Sequence, residues 1–328
     1  MKNKVILITG GTGSFGNKFV PMTIKKYQPK KIIVYSRDEM KQWHMRDKYK
    51  SKKIEFILGD IRDKERLHSV LNNVDLVVHA AATKIVPSSE FNPSETVKTN
   101  IIGAINVIDA CINQRIKKVI ALSTDKACNP VNFYGATKLA SDKLFITSNI
   151  NSKFTKFSVV RYGNVMGSRG SVIPFFIDQA QNKKITITDK RMTRFMISLE
   201  EAVSFVWFSF NEMVGGEIFV KKLPSMNIMD IADSISKDTK KEFVGIRPGE
   251  KLHEMMVGYE DADNTYEYSS FFKILPQIFN SKQKNKMIKN GKKVSKDFIY
   301  SSQNNKQWMN KKDLIKWINQ NKYTIGKI

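Results

Sequence analysis

Cysteine is close to absent from this chain of 328 residues: there are two, Cys111 and Cys128, in no C-x-x-C or Cys/His spacing. That excludes a disulfide framework and a thiolate zinc site, so no metal is expected, and it fits a reducing compartment. Long hydrophobic runs are missing too. Stretches such as Val5–Ile8 and Leu76–Ala82 fall far short of the roughly 20 residues that a bilayer requires, so no membrane segment is expected. The first residues, Met-Lys-Asn-Lys, pass directly into a strand-like run without the apolar core of a signal peptide. A cytoplasmic location is therefore expected. There is no internal repeat and no low-complexity linker.

Acidic residues are scarce, 31 against 55 basic ones, for a formal net charge of +24. Clustered cations would point to nucleic acid. Here the lysines are scattered along the chain, with some excess over Lys282–Lys296, and no aromatic-basic recognition motif accompanies them. The charge reads as a solvated basic surface that favours anionic small molecules, with no nucleic-acid partner. The hydrophobic content of 41% is ordinary for a globular protein, and the length suffices for one large domain or two joined ones.

What is present is a rhythm. Apolar runs at Lys4–Thr9, Lys31–Ser36, Ile54–Gly59, Asp75–Ala80, Lys118–Ser123 and Phe157–Tyr162 read as strands. Several are continuous Val/Ile/Leu stretches, as in parallel strands covered on both faces. Between them Asp38–Lys50, Arg62–Asn72 and Asn100–Gln114 carry helical spacing. The alternation predicts an α/β fold with a Rossmann-type doubly wound parallel sheet. After about Gly167 the rhythm breaks into shorter mixed elements. The expected division is a cofactor domain over 1–167, also receiving 192–220, and a smaller mixed α/β substrate domain over 168–328.

The first strand runs into Gly10-Gly11-Thr12-Gly13-Ser14-Phe15-Gly16, with a helix expected from Asn17. Gly10 permits a tight turn, Gly13 lets backbone amides approach a pyrophosphate, and Gly16 allows helix to pack on strand. Thr12, Ser14 and Phe15 belong to the same loop. An NAD-specific site would place an acidic residue at the end of the second strand. That neighbourhood is Tyr35-Ser36-Arg37, with Lys41 one turn on. A hydroxyl and two cations suit a 2′-phosphate, so NADP is expected. Asp38 and Glu39 follow, and either could serve a ribose hydroxyl, which keeps NAD open. Asp60 and Ile61 are placed to edge the adenine. Ala80, Ala81 and Ala82 would let the cofactor lie against backbone.

Tyr134-Gly135-Ala136-Thr137-Lys138 is a Y-x-x-x-K spacing, which puts both side chains on one helical face. A nearby ammonium would lower the phenol's pKa and make Tyr134 a base toward a sugar hydroxyl, with Lys138 also on the nicotinamide ribose. Upstream stands Ser123-Thr124-Asp125-Lys126 at a strand end. Alcohol oxidation needs only Ser or Thr, Tyr and Lys, so two further ionisable groups suggest further proton transfers. After hydride leaves carbon 4 of a hexose, the carbon 5 proton is acidic beside the new ketone. Lys126, with its pKa lowered in a partly dry site, is the candidate base, and Asp125, its pKa raised by burial, the candidate acid for the departing carbon 6 hydroxyl.

At this point the chain resembles the inverting UDP-N-acetylglucosamine 4,6-dehydratases of pseudaminic acid synthesis, within the extended short-chain dehydrogenases/reductases. The likeness runs over nearly the whole chain. Its carriers are Thr9–Gly16, Tyr35–Glu39, Ser123–Lys143, Arg161–Pro174, Arg191–Phe195, Gly245–Glu254 and Tyr300–Trp308. The resemblance implies that Asp125 and Lys126 carry dehydration and inversion, and that Tyr134 with Lys138 handles hydride transfer. It puts Lys84 near cofactor and sugar, and Asn164, Val172, Arg194, Arg247 and Glu250 on the UDP-sugar. It also implies a homo-oligomer, a dimer or hexamer, built on helices near Asn100–Gln114 and Tyr134–Asn149.

The chain departs from that pattern at Ile85, where the family usually has His or Gln, and at Met196, where Trp is usual. Tyr134 separates it from longer, membrane-anchored dehydratases, which generally carry Met there. Two rival readings stay open: a nucleotide-sugar 4-epimerase, reductase or retaining dehydratase on the same fold, and an idle cofactor-binding protein. Asp125-Lys126 argues against a plain epimerase.

Overall fold

Six strands come first along the chain: β1 (Val5–Thr9), β2 (Lys31–Ser36), β3 (Ile54–Leu58), β4 (Leu76–His79), β5 (Lys118–Leu122) and β6 (Lys156–Arg161). In the computed structural model, which describes residues 2–327, they pair in parallel in the order β3-β2-β1-β4-β5-β6. The register sets Ile8 beside both Val34 and Val78. The chain reverses its direction of growth between β1 and β4, the switch point where open α/β sheets open a crevice at the strands' carboxyl ends. β1, β2 and β4 are buried almost throughout, which explains their unbroken apolar runs.

Seven helices accompany these strands: α1 (Ser14–Tyr27), α2 (Glu39–Tyr49), α3 (Lys64–Val70), α4 (Val86–Phe91), α5 (Pro93–Val97), α6 (Gly103–Asn113) and α7 (Phe133–Asn151). Local chemistry marks their starts. Asp38, Asp63 and Asn132 accept hydrogen bonds from Lys41, Arg66 and Gly135 amides at 2.9, 2.9 and 2.7 Å, capping α2, α3 and α7. α1 differs: it begins at Ser14, three residues before the expected Asn17, and its N-cap Gly13 has no side chain to satisfy the first amides. Those donors face the cleft. The stretch expected to be one helix over Asn100–Gln114 opens as a π-helical turn, Lys98–Ile102, before α6.

The sheet does not stop at β6. Strand Ile218–Lys221 pairs parallel to β6, Phe271–Ile274 returns antiparallel beside it, and Thr265–Glu267 and Lys292–Lys293 complete ten strands. Beyond residue 167 the large sheet thus takes strands from 218–221, 265–274 and 292–293, the first of them at the end of the expected 192–220. Phe219, Phe271 and Phe272 bury their rings along this edge, which is the gain that draws the segment back. Helix Leu199–Glu212 lies against α1, where Trp207 stacks on Phe19 and donates to Thr23 Oγ1 at 3.0 Å. Trp207→Ala at this fully buried spot would cost about 3–5 kcal/mol.

A second, smaller core gathers Ile173, Phe176, Ile185, Met196, Ile231 and Leu314. Met196 is thus a packed core side chain rather than a residue of the cleft. Among the described residues, no helix is long and apolar enough to cross a membrane. Cys111 and Cys128 are both buried free thiols.

Candidate active site

A cleft of about 680 Å³ opens between the carboxyl ends of the strands and the smaller lobe. It is lined at one end by Gly10, Thr12, Gly13, Ser14 and Phe15. Gly10 turns with φ +63°, a backbone conformation that glycine adopts without strain. Gly16 lies below the loop, outside the cleft lining, where it packs α1 onto Gly11. Bare backbone and the amino-terminal end of α1 make a cradle for a pyrophosphate. The residues present therefore fit a dinucleotide.

The adenosine end is formed by Ser36, Arg37, Asp38, Lys41, Asp60 and Ile61, all lining the cleft. Asp38 is already engaged. It caps α2 and pairs with Lys41, whose hydrogen bonds hold its carboxyl below the usual range. Ser36 is buried, and its hydroxyl accepts from Gln42 Nε2 at 3.1 Å. The Arg37 guanidinium is 60% exposed and 3.5 Å from Asp60. Asp60 in turn is clamped by Arg62 at 2.8–3.0 Å. Ala80 and Ala81 present backbone to the cleft, their amides donating to Thr9 Oγ1 at 3.1 and 3.2 Å. Lys84 crosses the mouth, its ammonium donating to the Arg169 carbonyl at 2.8 Å. Arg169 lines the cleft, lies close enough to Asp38 to act on its charge, and carried no role in the sequence reading.

The reacting end brings together Asp125, Lys126, Tyr134 and Lys138. Asp125 and Lys126 form a 3₁₀ turn, Asp125–Ala127, after β5, and Thr124 caps it. A Cβ on Gly135 would lie 2.2 Å from the Lys126 carbonyl, so only glycine lets α7 seat Tyr134 this near the turn. Asp125 is 1% exposed. Its Oδ1 accepts from Thr124 Oγ1 at 2.8 Å and Lys126 Nζ at 3.1 Å, while Oδ2 is buried without a partner. Burial pushes its pKa up, as expected for an acid.

Two expectations about ionisation are corrected. Burial alone would lower Lys126, but Asp125 and the Glu254 carboxylate, 3.3 Å away, overcome it and raise its pKa. Lys126 is an ammonium at rest, not a ready base. Tyr134 is pushed up to about 12, chiefly by burial, and the cation that opposes this is Lys126 rather than Lys138. Lys138, 3% exposed, is itself lowered by burial and supported by Asp142 one turn on. Asp142 accepts from Ser123 Oγ at 2.6 Å and lies 3.5 Å from the buried Arg161.

Asn164 and Val172 line the cleft opposite the turn, and Asn164 Oδ1 is buried without a partner. The remaining residues expected on the nucleotide do not line it. Arg194 is 11% exposed, and its fork is spent on the carbonyls of Thr193, Leu252 and Lys251 at 2.8–3.1 Å. It braces the loop rather than offering a free guanidinium. Arg247 and Glu250 sit in an exposed turn, the Arg247 amide donating to Glu250 Oε2 at 3.3 Å. That turn is fastened beside the mouth, where Asn132 Nδ2 donates to the Gly249 carbonyl at 2.8 Å. Ile85 is 53% exposed on the lip of the cleft. Glu254 lay within a segment that carries the resemblance, but only the fold reveals its contact with Lys126.

Fold and site define an extended short-chain dehydrogenase/reductase. Within that class, the chain belongs to the polysaccharide biosynthesis protein family, which matches residues 6–276. It is 52% identical to the UDP-N-acetylglucosamine 4,6-dehydratase (inverting) of Campylobacter jejuni subsp. jejuni serotype O:23/36 (strain 81-176), over 96% of this chain and 97% of that one. It is 40% identical to the UDP-glucose 4-epimerase of Rickettsia bellii (strain OSU 85-389), over 93% and 92% of the two chains. The crystal structure of Pen from Bacillus thuringiensis superposes with a TM-score of 0.89 at 36% identity, covering 98% of each chain.

Proposed function

We propose that this protein is an NADP-dependent hydro-lyase that oxidises carbon 4 of UDP-N-acetylglucosamine, eliminates water across carbons 5 and 6, and inverts carbon 5. The product is the L-arabino 4-keto-6-deoxy sugar, and the step opens pseudaminic acid synthesis. The observation that carries the reading is the juxtaposition of Asp125 and Lys126, 3.1 Å apart, in the cleft that also holds Tyr134 and Lys138. The 52% identity to a dehydratase of that name supports it.

Gly10, Thr12, Gly13, Ser14 and Phe15 would hold the dinucleotide's pyrophosphate, Asp60 and Ile61 its adenine, and Ser36, Arg37 and Lys41 its 2′-phosphate. Ala80, Ala81 and Lys84 would flank its nicotinamide half. When bound, the dinucleotide would supply a hydride acceptor for the hydrogen on carbon 4 and a donor of the same hydride to carbon 6. Tyr134, as the phenolate that the Lys126 ammonium favours against burial, would take the carbon 4 hydroxyl proton, and Lys138 would hold the nicotinamide ribose. Asp125 and Lys126 then act as a pair. A proton crossing their contact from Nζ to the carboxylate turns the ammonium into an amine and the carboxylate into an acid. The amine removes the carbon 5 proton, and the acid protonates the departing carbon 6 hydroxyl, releasing water. A proton returned to the opposite face of carbon 5 gives inversion. Lys84, Asn164 and Val172 would contact the sugar nucleotide, with Arg247 and Glu250 closing on it from the fastened turn.

Incubation with UDP-N-acetylglucosamine tests this directly. Mass spectrometry should show loss of one water, and NMR in heavy water should show deuterium at carbon 5 of the L-arabino product. Lys126→Ala should keep cofactor binding and lose dehydration by about 10²–10⁴-fold, the scale of a general base. An unchanged mass with a new carbon 4 epimer would make the chain an epimerase. A D-xylo product alone would make it a retaining dehydratase.

A further inference from the structure

Glu254 is a buried carboxylate beside the reacting turn to which the reaction assigns no task. It precedes strand Met255–Val257, which packs against the Asp125–Ala127 turn and pairs with Tyr300–Ser301. Ser302 secures its backbone from both sides: Ser302 Oγ accepts from the Glu254 amide at 2.9 Å, and the Ser302 amide donates to the Glu254 carbonyl at 2.8 Å. The side chain is 4% exposed, with Oε1 3.3 Å from Lys126 Nζ and 3.8 Å from Arg194 Nε. Oε2 is buried and accepts no hydrogen bond within the chain.

A carboxylate half of whose acceptors go unmet is costly to bury. Arg194 already has three carbonyls for its fork, and the loop is fastened by Ser302 without any help from this side chain. What Glu254 adds is a second anion on Lys126, delivered from a part of the chain far from Asp125. We propose that Glu254 is a positioning residue, which fixes the place of the Lys126 side chain and holds it as the resting ammonium, so that Lys126 becomes a base only by the proton it passes to Asp125. At rest Glu254 is ionised, because Lys126, Arg194 and Lys251 outweigh the effect of burial. The charged groups facing the Lys126–Glu254 pair are Asp125, Arg194 and Lys251, with Tyr134 within reach of the field of Lys126.

This inference rests on the dehydratase reading for its consequence, but its physical core is testable without turnover. With lysines labelled at the ε-carbon, the Lys126 signal is identified as the one missing from Lys126→Arg and is followed by NMR across pH. In Glu254→Gln its titration midpoint should fall by about one pH unit or more, the effect of removing one adjacent opposite charge. Glu254→Asp should restore part of that fall. In the enzymatic assay, the limb of the kcat profile that Lys126→Ala abolishes should move to lower pH by the same amount in Glu254→Gln, with KM held within about twofold. An unmoved midpoint in Glu254→Gln that melts like the unmutated protein overturns the proposal. So does a lower kcat on an unshifted profile, which is the mark of packing damage alone. If the unmutated protein gives no dehydrated product while the midpoint still moves, the dehydratase reading fails and the pairing stands.

Discussion

Gly10 and Ala81 meet backbone to backbone across the switch point: a Cβ on Gly10 would lie 2.8 Å from the Ala81 Cα. The contact brings the end of β1 against the residues that follow β4, and it sets the depth of the cradle. Gly10→Ala must relieve that clash and pay about 1–2 kcal/mol for the left-handed backbone. Titration calorimetry should show NADP affinity reduced by at least about tenfold, or about 1.4 kcal/mol. Unchanged affinity would remove the loop from the cofactor site.

Arg37 is exposed and only loosely tied to Asp60, whereas Asp38 is occupied by α2 and Lys41. The unmutated protein should therefore prefer NADP in a competitive titration, and Arg37→Asp should reverse the order. Equal affinity for NAD and NADP before mutation would defeat the assignment.

The reaction should be redox-neutral. With substrate deuterated at carbon 4, the label should appear in the new methyl group without added reductant. Stoichiometric accumulation of NADPH during turnover would instead mark a dehydrogenase.

His79 is 2% exposed and bonds Thr9 Oγ1 at 2.9 Å. Burial, with help from Lys138, pushes its pKa from 6.5 down to about 3. The unfolded chain therefore binds a proton that the folded chain refuses. His79 makes no such difference above pH 6.5, and it costs stability increasingly as the pH falls from 6.5 toward 3, at up to about 1.4 kcal/mol per unit. Urea unfolding should show lower stability at pH 5 than at pH 7, and His79→Asn should flatten the slope. A protein equally stable at both would contradict this.

The sheet was readable because β1, β2, β4 and β5 carry continuous apolar runs separated by helical spacing. Its far edge was not. Thr265–Glu267 and Lys292–Lys293 are three and two residues long, too short for any period to show. At the site, the glycine loop, Asp125-Lys126 and Tyr134/Lys138 were visible because a strand end fixes their neighbours. The charge of Lys126 was hidden, since Glu254 reaches it from a position distant in the chain. The surroundings of Arg194 were hidden for a related reason: a guanidinium suits phosphate by type, and only the fold shows the carbonyl oxygens that meet it here.

The strand Ile218–Lys221 is held between β6 and Phe271–Ile274, so the chain leaves the large sheet, builds part of the smaller lobe and comes back to finish the sheet. Such a lobe cannot be inherited or grafted by a single crossover. A recombinant that takes new sequence after about residue 222 also receives a foreign edge for its cofactor-side sheet. Specificity for a different sugar is then open to point changes along the cleft, but closed to the exchange of whole domains as cassettes.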